Sequence, residues 1–284
     1  MAEPQPATST ARPIPRAPGL LTGALRVFDL SLGQMLWSRR TIFMGLVVGL
    51  PVLVAVIVRT IVALDLAGER LPVTGPVVFG LMIWGFFIRF AVPVLAVFYG
   101  TSLIADEVED KTITYLLTRP IPRASVLLGK YAAYLVCTVA VVLPAIVIMW
   151  LLLAPIAGTL AESFPALAAD LGIVAAGLAA YGALFALVGA TFKRPLLFGL
   201  IFVFGWETLA LALPGYIRRF TVAHYVEGLV PHAMPAGSPA GMLQAVFGTP
   251  AGVGESLVGL AVITVLALSL AARAVGRREY VLEH

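Results

Sequence analysis

Six apolar runs constrain this chain more than any other feature. A helix of about 20 mostly apolar residues crosses the ~30 Å hydrocarbon core of a bilayer. Residues 41–64, 77–105, 126–153, 171–192, 195–213 and 254–274 each supply such a run. The expected fold is therefore all-α: a polytopic membrane protein with six transmembrane helices. Charge argues the same way. Only 12% of the 284 residues are charged and 60% are hydrophobic, against about 25% charged in a soluble domain. So apolar a chain could not cover a water-facing surface, which excludes a soluble enzyme. The 27 glycines and 20 prolines are better tolerated in membrane helices, where neighbours satisfy freed backbone groups. Cys137 is the single cysteine and lies within an apolar run. An intramolecular disulfide framework and a multi-cysteine metal site are both excluded.

The flanking segments differ in kind. Residues 1–19 hold five prolines and no apolar run, which reads as a disordered tail and not as a signal peptide. In 20–40, Leu21, Leu25, Phe28, Leu32, Met35 and Leu36 recur at steps of three and four, with Arg26, Asp29 and Gln34 elsewhere. This is an amphipathic helix, expected to lie in the membrane interface with Trp37 and Arg39–Arg40 at its edge. The alternative is an ordinary helix packed on other helices. The remainder, 41–284, forms the six-span domain, with a long outer loop near 214–253. Within that loop Tyr225–Val230 and Met242–Phe247 are apolar but too short to span, as short re-entrant or interfacial helices would be.

Lys and Arg placement sets the orientation. With six spans both termini share one side. Fourteen of the 19 basic residues fall on that side, including Arg39, Arg40, Lys111, Arg119, Arg123, Lys130, Lys193 and Arg194, while Arg70, Arg218 and Arg219 fall on the other. Both termini and the 106–125 loop are expected in the cytoplasm.

That loop is the most informative stretch. Asp106, Glu107, Glu109, Asp110 and Lys111 follow the second span directly. Ile113, Leu116 and Leu117 then share one helical face. Pro120 disfavours helix at Arg119, which ends the turn. Acids at its start and Arg119 at its end suit the helix dipole, and Glu107 and Lys111 stand i, i+4 in the favourable order. A loop needing only solubility has no use for an acidic cap, an apolar face and a rigid Pro120–Ile121–Pro122 exit together. These features suit a lever that docks on a partner.

The segment resembles the signature of type-2 ABC transporter permeases, and is similar to the permease of the nitrous-oxide-reductase maturation exporter. The likeness rests on Glu107 and Glu109 in the acidic cluster and on Thr112 before the apolar run. It continues through Leu116, Leu117, Thr118 and Pro120 in the turn, Arg123 after it, and Leu127, Leu128, Gly129 and Lys130 opening the third span. One departure is Asp110–Lys111, where the family often has glycine before the threonine. The resemblance implies the membrane subunit of an ABC exporter in a bacterial cytoplasmic (inner) membrane, paired with a second permease copy, a homodimer, and two copies of a separate ATPase subunit. The loop would be its coupling helix, about 106–119, with Asp106, Glu107, Glu109, Thr112 and Arg119 contacting or positioning the ATPase. The chain itself has no phosphate-binding loop: Gly129–Lys130 is followed by Tyr131 and lacks the upstream glycine. ATP and Mg belong to the partner. This chain is expected to carry no cofactor, to bind no nucleic acid and to contact membrane lipid.

Arg89 and Glu207 are the two charges expected deepest, each near mid-bilayer by helical rise. An unpaired charge there costs roughly 2.5–3.5 kcal/mol on insertion scales. They either pair with each other or line the transport path; a water-filled vestibule or snorkelling is the alternative. His224, Glu227 and His232 in the outer loop have the chemistry of a metal site, but isolated loop histidines are usually solvated and no metal is expected. No nucleophile–base pair can be argued. Two other function classes stand beside the permease: an intramembrane enzyme using buried acids or histidines, and a membrane scaffold or assembly factor without an ATPase partner.

Overall fold

A computed structural model describes residues 19–65, 74–109, 122–156, 158–212, 216–230 and 251–277. Every regular element among them is helical. Helix α1 (Leu20–Leu36) is followed by α2 (Arg39–Ala63). One continuous helical rod then runs through α3 (Gly75–Leu81), a π-helical segment π1 (Met82–Ala91) and α4 (Val92–Glu109). Helices α5 (Arg123–Leu153) and α6 (Leu160–Thr191) are the longest. A second helix with a π-helical middle follows, made of α7 (Pro195–Ile201), the π-helical segment π2 (Phe202–Glu207) and α8 (Thr208–Ala212). A 3-10 turn (Tyr216–Phe220), the short helix α9 (Val222–Glu227) and the last helix α10 (Val253–Arg277) complete the order.

Among the described residues, five helices are long and apolar enough to cross a membrane: Arg40–Ala63, Gly75–Asp106, Arg123–Leu153, Leu160–Thr191 and Val253–Arg277. Where a sixth is expected, at 195–213, the described residues form the apolar helix Pro195–Ala210, with π2 inside it. Prolines do not break the long ones. Pro51 sits inside α2 and Pro144 inside α5, positions a membrane helix tolerates because neighbours take over the freed carbonyls. In the rod, Pro93 removes an N–H and would crowd the carbonyl four residues back, that of Arg89. The π turns directly before it re-space the carbonyls there, and they contain Arg89 itself.

Helices α4, α5 and α6 form the centre, and glycines let them approach closely. A Cβ on Gly189 would run into the Thr101 backbone carbonyl, one on Gly182 into the Tyr134 ring, and one on Gly100 would lie 2.9 Å from Phe185 Cβ. Two tyrosine hydroxyls then tie α5 to α6: Tyr131 Oη donates to the Ala179 carbonyl at 2.8 Å and Tyr134 Oη to that of Leu178 at 2.9 Å. By contrast α2 and α10 turn long apolar ridges outward, among them Leu46, Leu50 and Leu53 on α2 and Val258, Val262 and Val265 on α10. Water would penalise such ridges, whereas lipid does not.

Helix α1 starts at Leu20 as expected but ends at Leu36, short of the 20–40 segment, because α2 begins at Arg39; it packs on the start of α5. Ser125 Oγ donates to the Leu20 carbonyl at 2.8 Å, and a Cβ on Gly129 would stand 2.5 Å from the Ala24 carbonyl oxygen. Its packed side includes the buried Gly23 and Ser31, while Leu21, Leu25 and Trp37 remain exposed.

Candidate functional site

The two deep charges both stand on π-helical turns, Arg89 in π1 and Glu207 at the end of π2. Such widened turns push a side chain out of the regular helical register and recur at functional positions. What they converge on is α9, a six-residue helix too short to be stable alone. Its first turn leaves backbone N–H groups without intrahelical acceptors. Glu207 supplies one. Its Oε1 accepts from Val222 N at 3.0 Å and Ala223 N at 3.3 Å, and Thr221 Oγ1 accepts from His224 N at 3.3 Å. The other carboxylate oxygen, Oε2, accepts the Tyr181 hydroxyl of α6 at 2.6 Å. Glu207 is 3% exposed, so a full set of donors is what makes its burial tolerable. Its negative charge also suits the positive end of the α9 dipole.

The other end of α9 carries Glu227, where a carboxylate opposes the dipole. Arg89 offsets it: its Nε lies 2.8 Å from Glu227 Oε1. The Arg89 guanidinium also stands 5.8 Å from the Trp84 ring centroid, on the same π turns. Arg89 and Glu207 thus enter one cluster, but the ion pair of Arg89 is with Glu227, and Glu207 instead caps α9. Charge pairing between the two deepest residues is the natural expectation when only their depth is known. Glu227 was visible only as a loop acid until α9 folded back against the spans.

Close packing holds α9 in place as well. A Cβ on Gly177 of α6 would lie 3.3 Å from Val92 Cγ1 and 3.7 Å from Val226 Cγ2. A Cβ on Gly259 of α10 would be 2.5 Å from the Tyr225 ring, and one on Gly228, just after α9, would meet Ser256 Oγ of α10. The 3-10 turn before α9 is joined to the start of α10 by Arg219 Nε and Glu255 Oε1 at 3.6 Å. The expectation of a short re-entrant element at Tyr225–Val230 therefore meets α9, shifted toward the N-terminus. Met242–Phe247 lies outside the described residues.

A second buried acid lies where the apolar runs do not mark one. Asp170 is 0% exposed. The apolar run at 171–192 places it just outside the span, but α6 begins at Leu160, so Asp170 lies about 15 Å along the helix. Glu207 is not the only acid at depth. The signal was present in Thr159, whose hydroxyl accepts from Glu162 N at 3.4 Å and caps α6 well upstream of the apolar run.

At the far end of the rod, α4 ends in the acidic cluster. Asp106 Oδ2 pairs with Arg40 Nη1 of α2 at 2.6 Å, with both side chains partly exposed. Glu107 and Glu109 lie on the last turn of α4. Their side chains, together with Thr112 and Arg119, fall outside the described residues. Arg123 Nη1 donates to the Gly276 carbonyl at 3.1 Å, linking the start of α5 to the end of α10. His224 sits on α9, where burial pushes its imidazole below the ordinary value; His232 lies outside the described residues. Among the described residues no three metal-ligating side chains gather.

Long apolar helices with lipid-suited outer ridges define a multi-pass membrane protein. The sequence model of the ABC-2 family transporter proteins matches residues 27–270, nearly the whole helical region. The chain belongs to that family: it is a permease subunit of an ABC transporter, a transport component and not itself a catalyst, whose family implies an ATPase partner. No curated protein matches the sequence.

Proposed function

We propose that this chain is the permease of an ABC exporter in a bacterial inner membrane. It would work as a homodimer with two copies of a separate, Mg-ATP-hydrolysing subunit. The single observation that supports this most strongly is the continuous rod Gly75–Asp106. One end carries the acidic cluster beginning at Asp106, and Arg89 lies about 25 Å away on the same helix, holding the end of α9. A stiff helix with a docking segment at one end and a re-entrant clamp at the other transmits a push across the bilayer. Closure of the ATPases would move the 106–119 coupling helix, shift the rod, and loosen the Arg89–Glu227 contact so that α9 yields on the outer side.

The apolar helix Pro195–Ala210 would serve as the sixth crossing. Lys193 and Arg194, just before it, line a cavity with Arg40 and Asp106 at the basic end of the bundle. Beyond it, Arg219 meets Glu255 at the start of α10. Six crossings put both termini on the cytoplasmic side, as the basic residues require. Helix α1 would then lie along the cytoplasmic interface, with Leu21, Leu25 and Trp37 toward lipid. The likeness of the 106–130 segment to the nitrous-oxide-reductase maturation permease narrows the kind of exporter without naming its cargo.

The test is the double substitution Glu107→Lys/Glu109→Lys, reconstituted with the ATPase subunit in vesicles. Insertion of the permease should be unchanged, while stimulation of ATP hydrolysis by the permease falls to the level of the ATPase alone. Full stimulation by the double variant would overturn the lever. The scaffold alternative predicts that no ATPase copurifies with the wild-type chain.

A further inference from the structure

We propose that the basic end of the bundle carries a binding groove for an anionic phospholipid, between the start of α7 and the last turns of α4. The groove is a cavity of about 360 Å³ with two chemically distinct walls. Its lining joins the basic side chains of Arg40, Lys193 and Arg194 to an apolar wall of Phe98, Leu196 and Leu197, alongside Thr101, Ser102 and Asp106. Asp106 occupies Arg40 at 2.6 Å. Lys193 and Arg194 are exposed, and among the described residues neither has a carboxylate at ion-pair distance. Among the described residues, the groove therefore holds two cations with no paired carboxylate.

Position on the rod gives the depth. Phe98 lies eight residues before Asp106 on α4, about 12 Å further into the bundle. Leu196 and Leu197 begin the apolar helix Pro195–Ala210 and are exposed. A phosphate placed between Lys193 and Arg194 would bring an acyl chain along Phe98, Leu196 and Leu197. That pairing of basic side chains with an apolar wall at the membrane edge fits a lipid better than a free anion, which has no use for the wall. It also fits a lipid better than a protein segment, because the wall continues into the hydrocarbon region. Basic clefts between transmembrane helices recognise anionic headgroups through such cations.

The inference does not depend on the exporter reading, since it needs only the spans and the two cations. It is tested on the purified full-length chain in neutral detergent, by native mass spectrometry during titration with phosphatidylglycerol or phosphatidylcholine. Phosphatidylglycerol should bind more tightly. The variant Lys193→Gln/Arg194→Gln should weaken it roughly thirtyfold, from about 1 kcal/mol for each cation near an anionic surface, with phosphatidylcholine binding unchanged. Lys193→Gln alone should weaken it about fivefold on the same scale. Leu197→Trp, which fills the groove, should reduce binding of both lipids. Unchanged phosphatidylglycerol binding in the double variant would overturn the proposal. So would an equal loss in a control, Arg273→Gln/Arg277→Gln, at the end of α10. Displacement of the lipid by inorganic phosphate at equal concentration would assign the site to a free anion. Loss of ATPase copurification with lipid binding intact would assign it to the protein partner.

Discussion

Arg40 and Asp106 meet at 2.6 Å at one end of the rod, and Arg89 and Glu227 meet at 2.8 Å toward the other, yet the two pairs live in different surroundings. The side chains of the first pair are 44% and 37% exposed, those of the second 20% and 14%. The near-identical distances carry different energies. An exposed pair gains little over separate hydration and is screened by salt, so it contributes about 0–1 kcal/mol. A buried pair has already lost its water, and removing one member strands the other. The basic end can therefore exchange partners freely, as a docking surface must, whereas the polar cluster around α9 is a lock that opens only if several contacts let go together.

The largest effect expected from this contrast is at the lock. Glu207→Leu leaves the Val222 and Ala223 amides and the Tyr181 hydroxyl without their acceptor, at about 1–3 kcal/mol for each stranded donor. Arg89→Leu strips Glu227 of its cation, at about 3–5 kcal/mol. The double variant Arg89→Leu/Glu227→Leu should be more stable than Arg89→Leu alone, because no charge then remains buried without its counterpart. Thermal unfolding in detergent gives all three values. A double variant less stable than the single would show that the pair is not the unit that matters.

A smaller loss, about 1.5–3 kcal/mol, is expected for Tyr181→Phe, which removes one hydrogen bond to a charged group and leaves the packing intact. The same assay measures it, and a neutral result would mean that Glu207 is held by the α9 amides alone. The smallest effect is at the exposed end: Arg40→Gln should cost less than about 1 kcal/mol and lose even that at high salt. A loss as large as that of Arg89→Leu would erase the distinction between the ends.

Much of the helical layout was legible from composition alone. The run 41–64 became Arg40–Ala63, 77–105 became Gly75–Asp106, and 254–274 became Val253–Arg277. Hydropathy works here because lipid imposes one requirement on every outward residue. It failed at the start of α6, where Glu162 and Asp170 interrupt the run but the helix persists. Hydrogen bonding inside a helix does not depend on side-chain polarity, so the backbone continues where the hydropathy signal stops. At 195–213 the run is met by the apolar helix Pro195–Ala210, whose middle is the π-helical segment π2, a departure from α geometry that no residue type announces.

The candidate site was legible in part. Arg89 and Glu207 stood out because charge is costly at depth, and that cost was the reason to look at them. Their partners were not readable. Glu227 and the Val222 and Ala223 amides come from α9 and Tyr181 from α6, and nothing in their own neighbourhoods marks them. Sequence by itself determined the class of molecule, its apolar segments and the end where positive charge accumulates, since these depend on each residue's own transfer energy. Tertiary structure alone decided which buried charge meets which donor. A carboxylate takes any partner brought within 3 Å, and that distance is set by how α9 folds back between the spans.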